Sequence, residues 1–284
     1  MPAHARVSAA PCVLARPIHE GIDHMHVRLM AVAIACLFTA SATQATPVDT
    51  PKPTIVLVHG AFAESASWNG VIDELTSDGY PVVAAAVPLR SLQGDADYVA
   101  SLVASLPGPV VLVGHSYGGE VISVAAAREH SVKALVFVAG LAPDVGESAV
   151  SLGARFPTGT LGPALAPPVT LPDGRTDLYI LRARYWKQFA ADVPEADAIR
   201  MAATQRPIVQ AALGEPAKAE TWRTIPSWFV WGSLDLNIPA ALHAFMAKRA
   251  EAREAVEVPG ASHVVMISHP HLVAAMIERA GTAR

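Results

Sequence analysis

Cysteine is nearly missing from this 284-residue chain: there are two, Cys12 and Cys36, both near the N-terminus. A chain trimmed beyond them has no disulfide framework, no thiol nucleophile and no cysteine-built metal site. An excess of one charge sign is also lacking. Lys and Arg number 21 against 25 Asp and Glu, a formal net charge of −4. With no basic run or RNA-binding signature, nothing marks a nucleic-acid partner. No internal repeat is visible, which argues against solenoids and propellers. Charged residues are only 16% of the chain and hydrophobic residues 52%. Such a chain can bury one large core and does not have a disordered composition.

Long apolar runs are absent too. The longest, Leu29 to Phe38, has about ten residues, half of the ~20 needed to span a bilayer. It follows a short basic start (His26, Arg28) and precedes small residues, with Ala40-Ser41-Ala42 or Ala45 as cleavage points. That order reads as a secretory signal peptide, placing the mature protein in the periplasm or outside the cell. Residues 1–24 do not fit a signal and are read as an upstream extension, with Met25 as the true start. N-terminal sequencing of the unprocessed precursor tests that start. Residues 1–45 are thus an extension and leader, and 46–53 (TPVDTPKP) a proline-rich linker.

From residue 54 the pattern changes. TIVLVHG, PVVAAA, PVVLVGH, VKALVFVAG, SWFVWG and AREAVEV are short β-branched or aliphatic runs, each closed by a turn signal or a helical pattern. Near-continuous apolar strands of this kind belong to a parallel sheet covered on both faces. The segments between them repeat apolar residues at helical spacing, and Pro239 and Pro270 fall at expected first helical turns. The class is therefore α/β, a mostly parallel central sheet flanked by helices. The alternation breaks from about 141 to 224, where a glycine- and proline-rich stretch precedes three short helical patterns. We read this as a helical cap inserted into a domain spanning 54–284.

Gly114-His115-Ser116-Tyr117-Gly118 lies between a strand and a helix. In that context the glycines permit a turn so sharp that Ser116 projects above the sheet as a nucleophile, and the helix N-terminus favours a developing anion. A bland strand-to-helix turn is the competing reading. A serine hydroxyl needs a base, and the base an orienting acid. Asp235 follows the strand SWFVWG and His263 follows AREAVEV, both in loops at strand carboxyl ends. Asp144 is the rival acid, read as a solvated turn residue. Asp73, Asp95 and Asp97 read as surface or capping residues, His243 as structural, His269 and His271 as surface or capping groups. His59 and His115 read as packing and loop hydrogen-bonding groups. The backbone N–H groups of Tyr117 and of Ala61, in the loop His59-Gly60-Ala61-Phe62, are the expected oxyanion donors.

Together VLVHGAF, GHSYGG, the Asp235 loop and GASHVVMISHP resemble the α/β-hydrolase superfamily over about residues 54–280. The likeness is to small esterase-like members, which include plant methylesterases and hydroxynitrile lyases. It implies a Ser116-His263-Asp235 triad, an ester substrate, no metal and no organic cofactor. The lyases have a lysine after the catalytic histidine; Val264 stands here, which argues against cyanohydrin chemistry. The strands usual before the HG motif are missing or reduced. In the cap, Phe62, Tyr185, Trp186, Phe189, Met201 and Gln205 are candidate acyl-pocket residues, with plain cap packing the alternative for each. A perhydrolase or haloperoxidase-like reaction, C–C bond hydrolysis on the same triad, and a non-catalytic binding protein remain alternatives.

Overall fold

The β-branched runs form strands that share one sheet. The computed structural model describes residues 51–283; the expected leader, the extension before it, both cysteines and residues 46–50 of the linker lie outside the described residues. In chain order come β1 (Thr54–Val58), β2 (Val82–Ala85), β3 (Val110–His115) and β4 (Val132–Val138). Three very short strands follow in the cap, β5 (Val169–Thr170), β6 (Thr176–Leu178) and β7 (Ile208–Val209), before β8 (Ser227–Gly232) and β9 (Glu254–Val258). The main sheet runs β2-β1-β3-β4-β8-β9, and every pairing in it is parallel.

Burial explains the composition of each strand. Every residue of β1, β3 and β8 is buried, as uninterrupted apolar runs require. The two edges differ. Three of the four residues of β2 are only partly buried, and β9 exposes Ala255 and Glu257 in alternation, as an edge strand permits. Phe137 of β4 and Phe229 of β8 stack at 4.5 Å across the sheet centre.

Helices complete the layers: α1 (Asn69–Ser77), α2 (Leu92–Ala104), α3 (Tyr117–Ala125), α4 (Ala149–Arg155), α5 (Leu161–Ala164), α6 (Arg182–Phe189), α7 (Glu195–Thr204), α8 (Gln210–Gly214), α9 (Ala240–Arg249), α10 (Val265–Ser268) and α11 (Pro270–Thr282). Helix α2 packs on α3 and α1 on α11, while α3 and α11 both lie against β3 and β4. Pro270 opens α11 inside its first turn. Pro239 instead caps α9 in an extended conformation, ψ 143°. Among the described residues no helix is long and apolar enough to cross a membrane.

The cap is less helical than expected. Between α5 and α8 the antiparallel sheet β5-β6-β7 adds to the short helices. Its first hairpin turns at Pro172-Asp173-Gly174, where Gly174 has φ 84° and Leu171 N–H donates to Arg175 O at 2.8 Å. An Asp-Gly pair is a known hairpin signal. Strands of two and three residues are too short to show a period of two, and so escape a periodicity reading.

Candidate active site

The register of β1, β3 and β4 brings their carboxyl ends level, with Val58 opposite Gly114 and Gly114 opposite Phe137. The loops that follow therefore open on one edge. Ser116 sits there at φ 54°, ψ −123°, a conformation L-residues rarely hold. Its backbone is clamped on both sides: N–H donates to Val138 O at 3.3 Å, and its carbonyl accepts from Gly119 and Leu141, each at 3.0 Å. The turn requires its glycines. A methyl on Gly60 would come within 2.5 Å of Ser116 Cβ, and one on Gly118 within 2.5 Å of Val58 O.

Asp235 and His263 meet two strands away. His263 Nδ1 donates to Asp235 Oδ2 at 2.6 Å. Asp235 Oδ1 accepts the N–H groups of Asn237 at 2.8 Å and Ile238 at 2.9 Å. Burial alone would raise the Asp235 pKa, but His263 and His243 beside it overcome that and hold the carboxyl well below its usual range. Asp235 is therefore an anion that accepts, and the His263 proton on Nδ1 is assigned by that bond. Nε2 is left for chemistry. Ser116 and His263 line the same cavity, and the Ser116 hydroxyl has no hydrogen-bond partner among the described residues.

Ala61 and Tyr117 line that cavity too. The next N–H in the β1 loop, that of Phe62, is already committed to Arg206 O at 3.0 Å. The loop is held from below by His59. Its Nε2 accepts the Val87 N–H at 3.1 Å, so its proton lies on Nδ1, which donates to Gly60 O at 3.0 Å. Burial lowers the His59 pKa and keeps the ring neutral. His115 does the same for the histidine loop, donating from Nε2 to His263 O at 3.1 Å. Both fill the loop-bonding role expected of them.

Asp95 does not. The sequence pattern places it on the surface or at a cap, yet it is 1% exposed and accepts the Tyr117 hydroxyl at 2.9 Å. It lies at the start of α2, and the partner that buries it comes from α3, so no local pattern reveals it. Burial, outweighing the hydrogen bonds from Tyr117 and Arg90, raises its pKa to about 6. Asp144 stays apart from the site and pairs with Arg223 at 2.6 Å. His243, read as structural, reaches Asp235 Oδ2 at 3.2 Å.

The cavity holds about 220 Å³. Leu141, Val150, Leu161, Phe189, Leu213 and Ile238 are among its lining residues, and no Asp, Glu, Lys or Arg lines it. Of the six residues expected to form an acyl pocket, only Phe62 and Phe189 belong to it; the other four do not. Tyr185, Met201 and Gln205 line a separate cavity of about 370 Å³, which shares Phe62 but includes neither Ser116 nor His263. Their polar atoms serve the cap: Tyr185 OH donates to Phe62 O at 2.8 Å, and the Gln205 amide bonds both Ile180 N–H and Ile180 O. Trp186 lines neither cavity and donates to Val193 O at 3.0 Å. The cap reaches the site through α4, α5 and α8, which bring Val150, Leu161 and Leu213 to the cavity, and through the end of α6. Gln188 bonds Leu236 O and Asn237, Phe189 lies 5.0 Å from the His263 ring, and Asp192 accepts the Ser262 hydroxyl.

The profile of the alpha/beta hydrolase family matches residues 55–276. The chain belongs to that family. It is 26% identical over 251 residues to the alpha/beta hydrolase nvfD of Aspergillus novofumigatus, covering 81% of this chain and 96% of that protein. It is 23% identical over 251 residues to methylesterase 3 of Arabidopsis thaliana, covering 80% and 95%. The crystal structure of polyneuridine aldehyde esterase superposes with a TM-score of 0.70 at 18% identity, over 80% of this chain and 98% of that one. This alpha/beta hydrolase thus shares its fold with esterases. Among its described residues no group of three His, Cys, Asp or Glu side chains is arranged to hold a metal ion.

Proposed function

We propose that this alpha/beta hydrolase cleaves neutral carboxylic esters through an acyl-enzyme on Ser116. The observation that carries the reading is the buried 2.6 Å bond from His263 Nδ1 to Asp235, on a histidine that lines the cavity holding Ser116. Ser116 Oγ attacks the ester carbonyl and gives its proton to His263 Nε2. The carbonyl oxygen becomes an oxyanion, which accepts from the N–H groups of Ala61 and Tyr117. The C–O bond breaks, and the alcohol leaves with the proton from His263. Water then gives a proton to His263 and attacks the acyl carbon, releasing the acid and restoring Ser116. The missing serine hydrogen bond does not count against this, because such bonds often tighten only in the substrate complex.

The cavity supports a substrate class. A wall without Asp, Glu, Lys or Arg offers no counter-charge to a carboxylate or ammonium substituent, and desolvating either would be costly. Its volume is below the ~300 Å³ typical of drug-sized ligands, so the acyl group is compact and apolar. Labelling with a fluorophosphonate probe tests the mechanism. Wild type is expected to label at Ser116 and to turn over p-nitrophenyl esters, and Ser116→Ala to do neither. A folded wild type that resists the probe and every ester would overturn the reading.

A further inference from the structure

The triad carboxylate is shared between two histidines. Asp235 Oδ2 accepts His263 Nδ1 at 2.6 Å and His243 Nε2 at 3.2 Å, while Oδ1 holds two backbone N–H groups. Asp235, His243 and His263 are 6%, 1% and 1% exposed. The second histidine is not loosely placed. His243 is carried by α9, and its ring lies flat against Trp231 of β8, with centroids 5.8 Å apart and planes 21° from parallel. Trp231 is fastened in turn, its Nε1 donating to Glu257 Oε2 at 3.1 Å. His243 does not line the Ser116 cavity; its hydrogen bond toward the site is the one to Asp235.

We infer that His243 is a positioning residue for the hydrolysis, whose neutral Nε2–H fixes the Asp235 carboxylate and tempers its pull on His263. The inference rests on the ester-hydrolase reading above. An ionised carboxylate accepts but does not donate, so the bond requires the proton on His243 Nε2. Each donor on a carboxylate stabilises the anion and lowers its basicity. Oδ2 is the oxygen that steadies the His263 imidazolium formed when Ser116 loses its proton. A second N–H there competes for the same oxygen and weakens that support. Four groups face the His243 ring: Asp235 from the β8–α9 loop, His263 from the β9–α10 loop, Glu257 from β9, and uncharged Trp231 from β8. Burial is the strongest influence and lowers the His243 pKa against the opposing pull of Asp235. The ring stays neutral, and a second cation does not compete with His263 for the carboxylate.

The test is the pH profile of kcat/KM on a p-nitrophenyl ester for wild type, His243→Leu and His243→Gln, from about pH 5 to 9. Removing the donor in His243→Leu is expected to move the acid limb upward by about half to one pH unit. It is also expected to lower kcat with KM unchanged. His243→Gln keeps a neutral N–H donor and is expected to return the limb toward the wild-type position. A purely structural role would lower activity without moving the limb. A folded His243→Leu enzyme with an unmoved limb overturns the inference. Because leucine can also unfold the site, wild-type protein carrying 15N-histidine supplies a second reading. His243 is expected as a neutral Nε2–H tautomer from about pH 7 to 8; an Nδ1–H tautomer, or a protonated ring in that range, overturns the inference. An inert wild type sinks the hydrolase reading and this inference with it, whereas an active wild type with an unmoved limb sinks the inference alone.

Discussion

Gly60 shows how little room Ser116 has. It makes no bond to substrate and has no side chain, yet any side chain there would meet Ser116 Cβ at 2.5 Å and His115 O at 2.8 Å. Gly60→Ala must push the β1 loop away from Ser116 and carry Ala61 N–H with it. The expected result is a loss of about 10²–10³-fold in kcat, the effect of one lost oxyanion donor, with fluorophosphonate labelling slowed in parallel. Wild-type turnover in the Ala variant would remove Ala61 from the oxyanion hole. Gly60 is legible in the sequence because a histidine-glycine pair closing an apolar strand marks a tight turn. Asp95 is not legible. Its burial depends on Tyr117, 22 positions away, and a helical aspartate looks the same whether it faces water or a phenol.

At the level of elements, the six main strands and the five long helices around them follow from hydrophobic period and punctuation. In the cap, α6, α7 and α8 overlap the three expected helical patterns, whereas α4, α5 and the strands are not foreseen, because elements of two to seven residues are held by their neighbours rather than by propensity. Helix α4 supplies three residues of the cavity wall, Ala149, Val150 and Gly153, and a Cβ added at Gly153 would meet nothing within 4 Å. Position 153 can therefore take bulk without backbone strain, and leaving glycine in a helix costs about 1 kcal/mol relative to alanine. Gly153→Leu is expected to fold at least as stably as wild type and to shorten the accepted acyl chain. Its kcat/KM for long-chain p-nitrophenyl esters should fall while that for the acetate stays near wild type. An unchanged chain-length profile would place the acyl group elsewhere in the cavity.

On the scale of the molecule, the stability of the fold should depend on pH through Glu120. This carboxyl is fully buried in α3, and neither oxygen has a hydrogen-bond partner among the described residues. Burial, followed by the charges of Glu147 and Glu215, raises its pKa well above the ordinary 4.5. The folded protein therefore binds this proton more tightly than the unfolded chain. The associated stability is fully present below the ordinary carboxylate range and is lost as pH rises toward the raised value. Glu120→Gln keeps the shape without the titration. The melting temperature of the variant relative to wild type is expected to climb between about pH 5 and pH 8. A constant difference across that range would mean that Glu120 is ionised and compensated in the folded state.

Chain-local features are legible in the sequence by itself. The strand pattern, the glycines around Ser116, and an acid and a histidine each just beyond a later strand all depend on residues adjacent along the chain. Backbone sterics and periodic burial leave their mark there. Three things are decided only by packing: the strand order, which of two cavities meets Ser116, and the partners of Asp235 and His263. Phe189 lines the cavity of Ser116, Phe62 lines both cavities, and Tyr185, Met201 and Gln205 line only the other. His243 reaches Asp235 because α9 folds back over β8 to set its ring against Trp231. Such contacts join residues whose positions are set by the whole sheet and cap, and an apolar or titratable side chain carries no local sign of which neighbour it will meet.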